Sequence, residues 1–198
     1  MVSPLNTLKL YIKDFLRYRY LLYNLISRDF KLKYRRSVLG VAWSVLNPLL
    51  MCGVMVVVFG SLFQFRGEGI TNYPVYLVIG QLMFTFFRES TTMAMGSMMA
   101  NATLLRKVYI PKYVFPLEKT CFGLVNYFFS FIALIIIMII TGSPLHPTVL
   151  LAVYPILTMF LFSLGVGLVL STMAVFFRDV IHLWEVFTTV LMYFSAIF

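Results

Sequence analysis

Residues 101–119 read NATLLRKVYIPKYVFPLEK, a basic, proline-punctuated stretch set between two long apolar runs. Its position decides the fold, because the sequence on either side has the composition of membrane-spanning helix. Asn101 offers a side-chain oxygen to cap a short helix. Pro111 and Pro116 each remove a backbone donor and push the preceding residue out of the helical region. A short helix bounded by a bend is therefore expected. Arg106, Lys107, Lys112 and Lys119, against the one acid Glu118, put the stretch in the cytoplasm, since short basic loops resist translocation. From charge alone two readings stand, a topological anchor or a surface with a further role.

The chain around it has 198 residues, 61% hydrophobic and only 12% charged, which excludes an ordinary soluble domain and implies an integral membrane protein. The apolar runs are longer than a soluble core helix needs and lack the alternation of a barrel strand. The expected class is all-α, a polytopic helical membrane protein built as one domain. The formal charge of +9 does not point to nucleic acid. The cations concentrate before Gly40 and in residues 101–119, which is the positive-inside pattern, with anionic phospholipid as the default partner and the amino terminus in the cytoplasm. Cys52 and Cys121 lie in or beside apolar runs with no Cys or His at metal spacing, and read as small hydrophobes. His182 and Glu185, one turn apart, offer too few ligands for a metal site.

Outward from the central stretch, residues 1–37 read as a cytoplasmic interface segment. Leu5, Leu8, Ile12, Phe15 and Leu22 recur at helical spacing, with Lys9, Lys13 and Arg17 on another face. Phe30, Leu32 and Tyr34 alternate with Lys31, Lys33 and Arg35, a period of two. A lone strand would leave its edges unpaired at a membrane surface, so a helix or irregular segment is preferred. Five spans follow, at 38–63, 73–100, 117–141, 148–177 and 180–198. Pro48 predicts a kink or a helix start in the first, and Trp43 an interfacial anchor. The second is about 40 Å long, and its half RESTTMAMGSMMA should face protein or water. The third carries Asn126 as a polar interruption and otherwise reads as largely lipid-facing. Ser163, Gly167 and Ser171 in the fourth permit close helix approach. Asp179 can cap the fifth and Trp184 can sit in the interface. The fifth run ends without a polar flank, so the chain is expected to be carboxy-terminally truncated.

Catalytic chemistry finds no support. There is no HExxH, no Gly-x-Ser-x-Gly, no phosphate loop and no close acidic pair, so neither a membrane enzyme nor an intrinsic ATPase is expected. Arg88 and Glu89 remain. A mid-membrane arginine costs roughly 2.5–3.5 kcal/mol on the insertion scale and needs a partner or an aqueous path. Adjacent helix positions point about 100° apart, so the two cannot simply neutralise one another. An interhelical salt bridge and a place on a translocation path stand side by side.

Three stretches in order, RDFKLKYRRSVLGVAWSVLNPL, NATLLRKVYIPKYVFPLEK and VFFRDV, resemble successive signatures of the permease subunit of type-2 ABC exporters of lipid-linked polysaccharide. The resemblance implies a homodimer with an interfacial amino-terminal helix and six spans per intact subunit. It also implies a separate cytoplasmic ABC ATPase holding ATP and Mg, with no cofactor on this chain. The substrate implied is an undecaprenyl-diphosphate-linked polysaccharide or teichoic acid, exported across the bacterial cytoplasmic membrane. Residues 101–116 would then be the coupling segment, with Leu104, Arg106, Lys107, Tyr109, Ile110, Pro111 and Lys112 toward the ATPase. Lys31, Lys33, Arg35 and Arg36 would flank substrate access and attract the lipid diphosphate, or bind anionic phospholipid. A drug or small-lipid exporter, or a non-transport accessory subunit of a glycan polymerase, shares the composition. Both leave the basic loop unexplained unless an ATPase docks there.

Overall fold

The computed structural model describes residues 4–35, 39–62, 73–140, 142 and 151–195, and among these all regular structure is helical. In chain order the helices are α1 (Pro4–Tyr34), α2 (Trp43–Leu62), α3 (Tyr73–Ala100), α4 (Ala102–Lys107), α5 (Val114–Ile140), α6 (Val153–Phe176) and α7 (Val180–Phe194). A 3-10 turn, Gly40–Ala42, leads into α2. Among the described residues, α5 and α6 are long and apolar enough to cross a membrane.

The hub is α3, against which α5 and α6 pack most extensively while α2 and α7 touch other sides. Its second half supplies small side chains, and Ser90, Thr91, Ala94 and Ser97 are fully buried. Ser163, Gly167 and Ser171 of α6 are buried in turn. A Cβ added at Gly167 would lie 2.8 Å from the Cβ of Ala94, so the helices meet almost backbone to backbone. On the other side, Gly123 of α5 faces Ser90, whose hydroxyl occupies the space a Cβ would need. Thr91 and Thr120 donate back to the Phe87 and Pro116 carbonyls at 2.8 and 3.0 Å, which satisfies them inside a dry seam.

Three apolar clusters complete the packing. Cys52, Val78, Leu82, Phe86, Tyr127 and Leu134 join α2, α3 and α5. Leu22 and Leu25 of α1 meet Ile110, Val114 and Phe115. Met95, Leu170 and Ala174 are packed by Val180, Ile181 and Trp184. The third span is thus less lipid-facing than expected, because Ala133, Leu134 and Ile137 are buried, although Ile139 and Ile140 remain exposed.

Other local expectations are corrected. Asn101 makes no side-chain cap for α4. Its Nδ2 donates instead to the Ser97 carbonyl at 2.9 Å, closing the end of α3. Asp179 likewise makes no side-chain cap for α7. Pro48 lies inside α2 and does not start it, since the helix already begins at Trp43. Val114 opens α5, with Pro116 in the first turn, where a missing backbone donor leaves no carbonyl unpaired. Trp184 also makes contacts within the bundle. Its Nε1 donates to Thr91 Oγ1 at 3.2 Å and its ring stacks on Phe187, so it pins α7 to α3. The α7 helix ends at Phe194, and at about 22 Å it is shorter than a hydrocarbon core of about 30 Å.

The largest difference concerns α1. The region of alternating basic and apolar residues is helical to Tyr34. Leu22 packs on the start of α5, Asp29 pairs with Lys119, Lys33 reaches Asn126, and Phe30 stacks on Phe129. From Leu22 to Phe30 the contacts advance along α5 from its first turn to Phe129, so the end of α1 runs alongside α5. The expected lipid-facing role of Leu22 gives way to a protein contact. The side chains of Leu5, Leu8, Ile12 and Phe15 lie outside the described residues, as do Arg36 and the loops around Arg66 and His146.

Candidate substrate cavity and coupling surface

Where α1, α3 and α5 meet, the chain leaves a cavity of about 790 Å³, bordered also by Met192 of α7. Its charged lining is Asp29 and Lys33 from α1, Arg88 and Glu89 from α3, and Lys119 from α5. Antiparallel packing of α3 and α5 produces this meeting, as the Phe86–Tyr127 ring contact at 5.5 Å and the Ser90–Gly123 approach show. Asn126 lies about 18 Å along α5 from Val114, and Arg88 about 18 Å back along α3 from Ala100, so both sit at one depth.

Lys33 crosses from α1 to this level. Its Nζ donates to Asn126 Oδ1 at 3.0 Å and stands 5.8 Å from the Phe122 ring centroid and 5.5 Å from that of Tyr34. A lone amide in an apolar helix and two aromatic faces thus accommodate an ammonium. Arg88 and Glu89 are exposed to the cavity, and among the described residues neither forms an ion pair. The expected grouping is only partly realised, since Lys31 and Arg35 are exposed and line neither this cavity nor its neighbour.

Below this level the cavity wall is a charge cluster. Lys119 Nζ donates to Asp29 Oδ2 and lies 3.4 Å from Glu118 Oε2, and Arg28 Nε holds Asp29 Oδ1 at 2.9 Å. Burial pushes the Asp29 carboxyl up, but the hydrogen bonds and charges of Lys119 and Arg28 outweigh it and hold the group below its ordinary value. Glu118 is fully buried, and neither of its oxygens accepts a hydrogen bond among the described residues. Asp29, Lys119 and Glu118 escaped the sequence reading because each looked like ordinary loop or interface charge. The acid–base pairing spans 90 positions of chain, a separation no local pattern reveals.

The residues expected to face the ATPase divide. Arg106, Lys107 and Lys112 are exposed, and Tyr109 is 93% exposed, beside Val108. Ile110 instead is buried on Leu22 and Leu25, with Leu104 packed against the same cluster and Pro111 half-buried. One side of the segment anchors it to the bundle while the other presents an aromatic ring among cations.

With this arrangement in view, comparison with known proteins is decisive at the level of family. Residues 20–198 match the membrane family described as ABC-2 type transporter. The chain belongs to that family. Among curated relatives of this ABC-2 chain, an O-antigen export system permease protein RfbA of Klebsiella pneumoniae is 29% identical over 164 residues, 80% of this chain and 61% of the relative. One from Myxococcus xanthus is 29% identical over 174 residues, 87% of this chain and 65% of the relative. The capsule polysaccharide export inner-membrane protein CtrC of Neisseria meningitidis serogroup A is 25% identical over 177 residues, covering 88% and 66%. The ABC-2 chain therefore spans about three fifths to two thirds of the length of these relatives. Two of its three signature stretches meet in the fold, through the Asp29–Lys119 pair.

Proposed function

We propose that this chain is the permease subunit of an ATP-driven exporter carrying undecaprenyl-diphosphate-linked polysaccharide or teichoic acid across the bacterial cytoplasmic membrane. Its amino terminus is cytoplasmic, it works as a homodimer of multi-span subunits, and a separate ABC ATPase binds ATP and Mg. The observation that carries the reading is the cavity in which Lys33, Arg88 and Lys119 converge from three helices. Lys33, Arg88 and Lys119 against Asp29 and Glu89 leave the lining with an excess of positive charge, which suits a phosphate headgroup drawn in from the inner leaflet. Lys31, Arg35 and Arg36 serve the approach, where anionic phospholipid competes for them. Membership of the ABC-2 family and likeness to permeases named for O-antigen and capsule export support the substrate class.

Tyr109, flanked by Arg106, Lys107 and Lys112, is the docking surface for the ATPase, and Leu104, Ile110 and Pro111 hold that surface in place. The test is export by the full-length permease with its ATPase. Lys33→Ala and Arg88→Ala are expected to lower polymer export at least tenfold while the complex still assembles. Normal export in both variants would overturn the assignment of the cavity. Export of small lipophilic compounds in place of polymer would replace the substrate class.

A further inference from the structure

A second cavity, of about 530 Å³, opens beside the first between α2, α3, α5 and the end of α1. Lys33, Gln81, Thr85, Glu89 and Asn126 line both, so the two adjoin. Their chemistry differs. The first adds Asp29, Arg88 and Lys119, all charged, whereas the second adds Tyr34, Trp43 and Tyr127 together with Asn47, Ser44 and Ser130, all neutral. Trp43 is 40% exposed and lies at the start of α2. Gln81 Oε1 is buried with no hydrogen-bond donor among the described residues. A buried acceptor that borders two cavities is open to a donor from whatever fills them, a water or a ligand hydroxyl.

From this juxtaposition we infer that the second cavity is a saccharide subsite, binding the sugar attached to the diphosphate held in the first. The inference rests on the phosphate reading of the first cavity and adds to it. Aromatic faces pack on the apolar face of a sugar ring, and neutral amides exchange hydrogen bonds with its hydroxyls in both directions. The volume lies within the roughly 300–1,000 Å³ typical of small-molecule sites. An acyl chain would leave the Gln81 and Asn47 amides without partners, which disfavours lipid as the occupant. Lys33 stands at the junction, its Nζ on Asn126, where a phosphate and its sugar would meet.

The experiment measures binding to the full-length permease with its ATPase in nanodiscs. The probes are a short-chain prenyl diphosphate and the same diphosphate bearing one N-acetylhexosamine. The sugar is expected to tighten binding at least fivefold. Asn47→Leu and Trp43→Ala, which alter residues of the second cavity alone, are expected to abolish that gain and leave affinity for the bare diphosphate unchanged. Trp43→Ala alters a partly exposed ring and keeps the test valid if Asn47→Leu misfolds. Equal affinity of the wild type for both probes, or equal loss of both in Trp43→Ala, overturns the subsite while leaving the phosphate reading intact. Failure of the wild type to bind either probe overturns both.

Discussion

Lys119 is the residue on which the charge balance of the α1–α5 contact turns. Lys119→Met leaves Asp29 and the fully buried Glu118 without their shared cation, whereas Asp29→Asn leaves Lys119 still 3.4 Å from Glu118. Breaking a largely buried pair from the side that strands charge costs on the order of 3 kcal/mol. Thermal unfolding in detergent should therefore show a larger loss for Lys119→Met than for Asp29→Asn, and the reverse order would mean that the cluster does not hold α1. The pH dependence has a defined sign. Because the folded Asp29 carboxyl titrates below its ordinary value of 3.8, its contribution is fully present above about pH 4. It is lost as pH falls through the lowered folded value, so α1 should gain protease sensitivity there, and Asp29→Asn should remove that part of the acid response.

At the scale of elements, the α3–α5 and α3–α6 seams depend on the absence of side-chain atoms. Gly123→Ala would drive a methyl into the Ser90 hydroxyl, and overpacking of this kind costs about 1–3 kcal/mol. In the Ser90→Ala background the same change should regain most of the stability, since the clashing oxygen is gone. Additive losses in the double variant, read from unfolding in detergent, would show that the helices separate rather than clash. The bend between α3 and α4 carries a related lesson. Asn101, at φ −108° and ψ 20°, breaks the helix, while its amide and carbonyl keep hydrogen bonds to Ser97, Leu104 and Leu105. This bonded corner ties α4 to α3, and Ile110 ties the residues after it to α5 and α1.

For the whole molecule, the split character of the coupling segment separates docking from folding. Tyr109→Ala with Lys112→Ala should abolish co-purification of the full-length permease with its ATPase and leave its unfolding temperature unchanged, because both side chains are exposed. Ile110→Ala should instead destabilise the permease itself by about 2–5 kcal/mol through the cavity left against Leu22, Leu25 and Phe115. Co-purification that survives the first pair of changes would place the ATPase elsewhere on the cytoplasmic face.

The helical class, the bounds of α3 and the small-residue face of α6 were legible in the sequence, because each rests on local composition and on the period of the helix. Arg88 and Glu89 were also legible, since isolated charge in an apolar run is conspicuous. Their surroundings were not. The sequence by itself determined which segments are helical and where charge accumulates, both properties of short stretches. Only the tertiary structure decided that α1 turns up along α5, that Lys33 rises to meet Asn126, and that Asp29 locks onto Lys119. Those choices depend on which faces of helices far apart in the chain bury one another, and that is a property of packing rather than of sequence spacing.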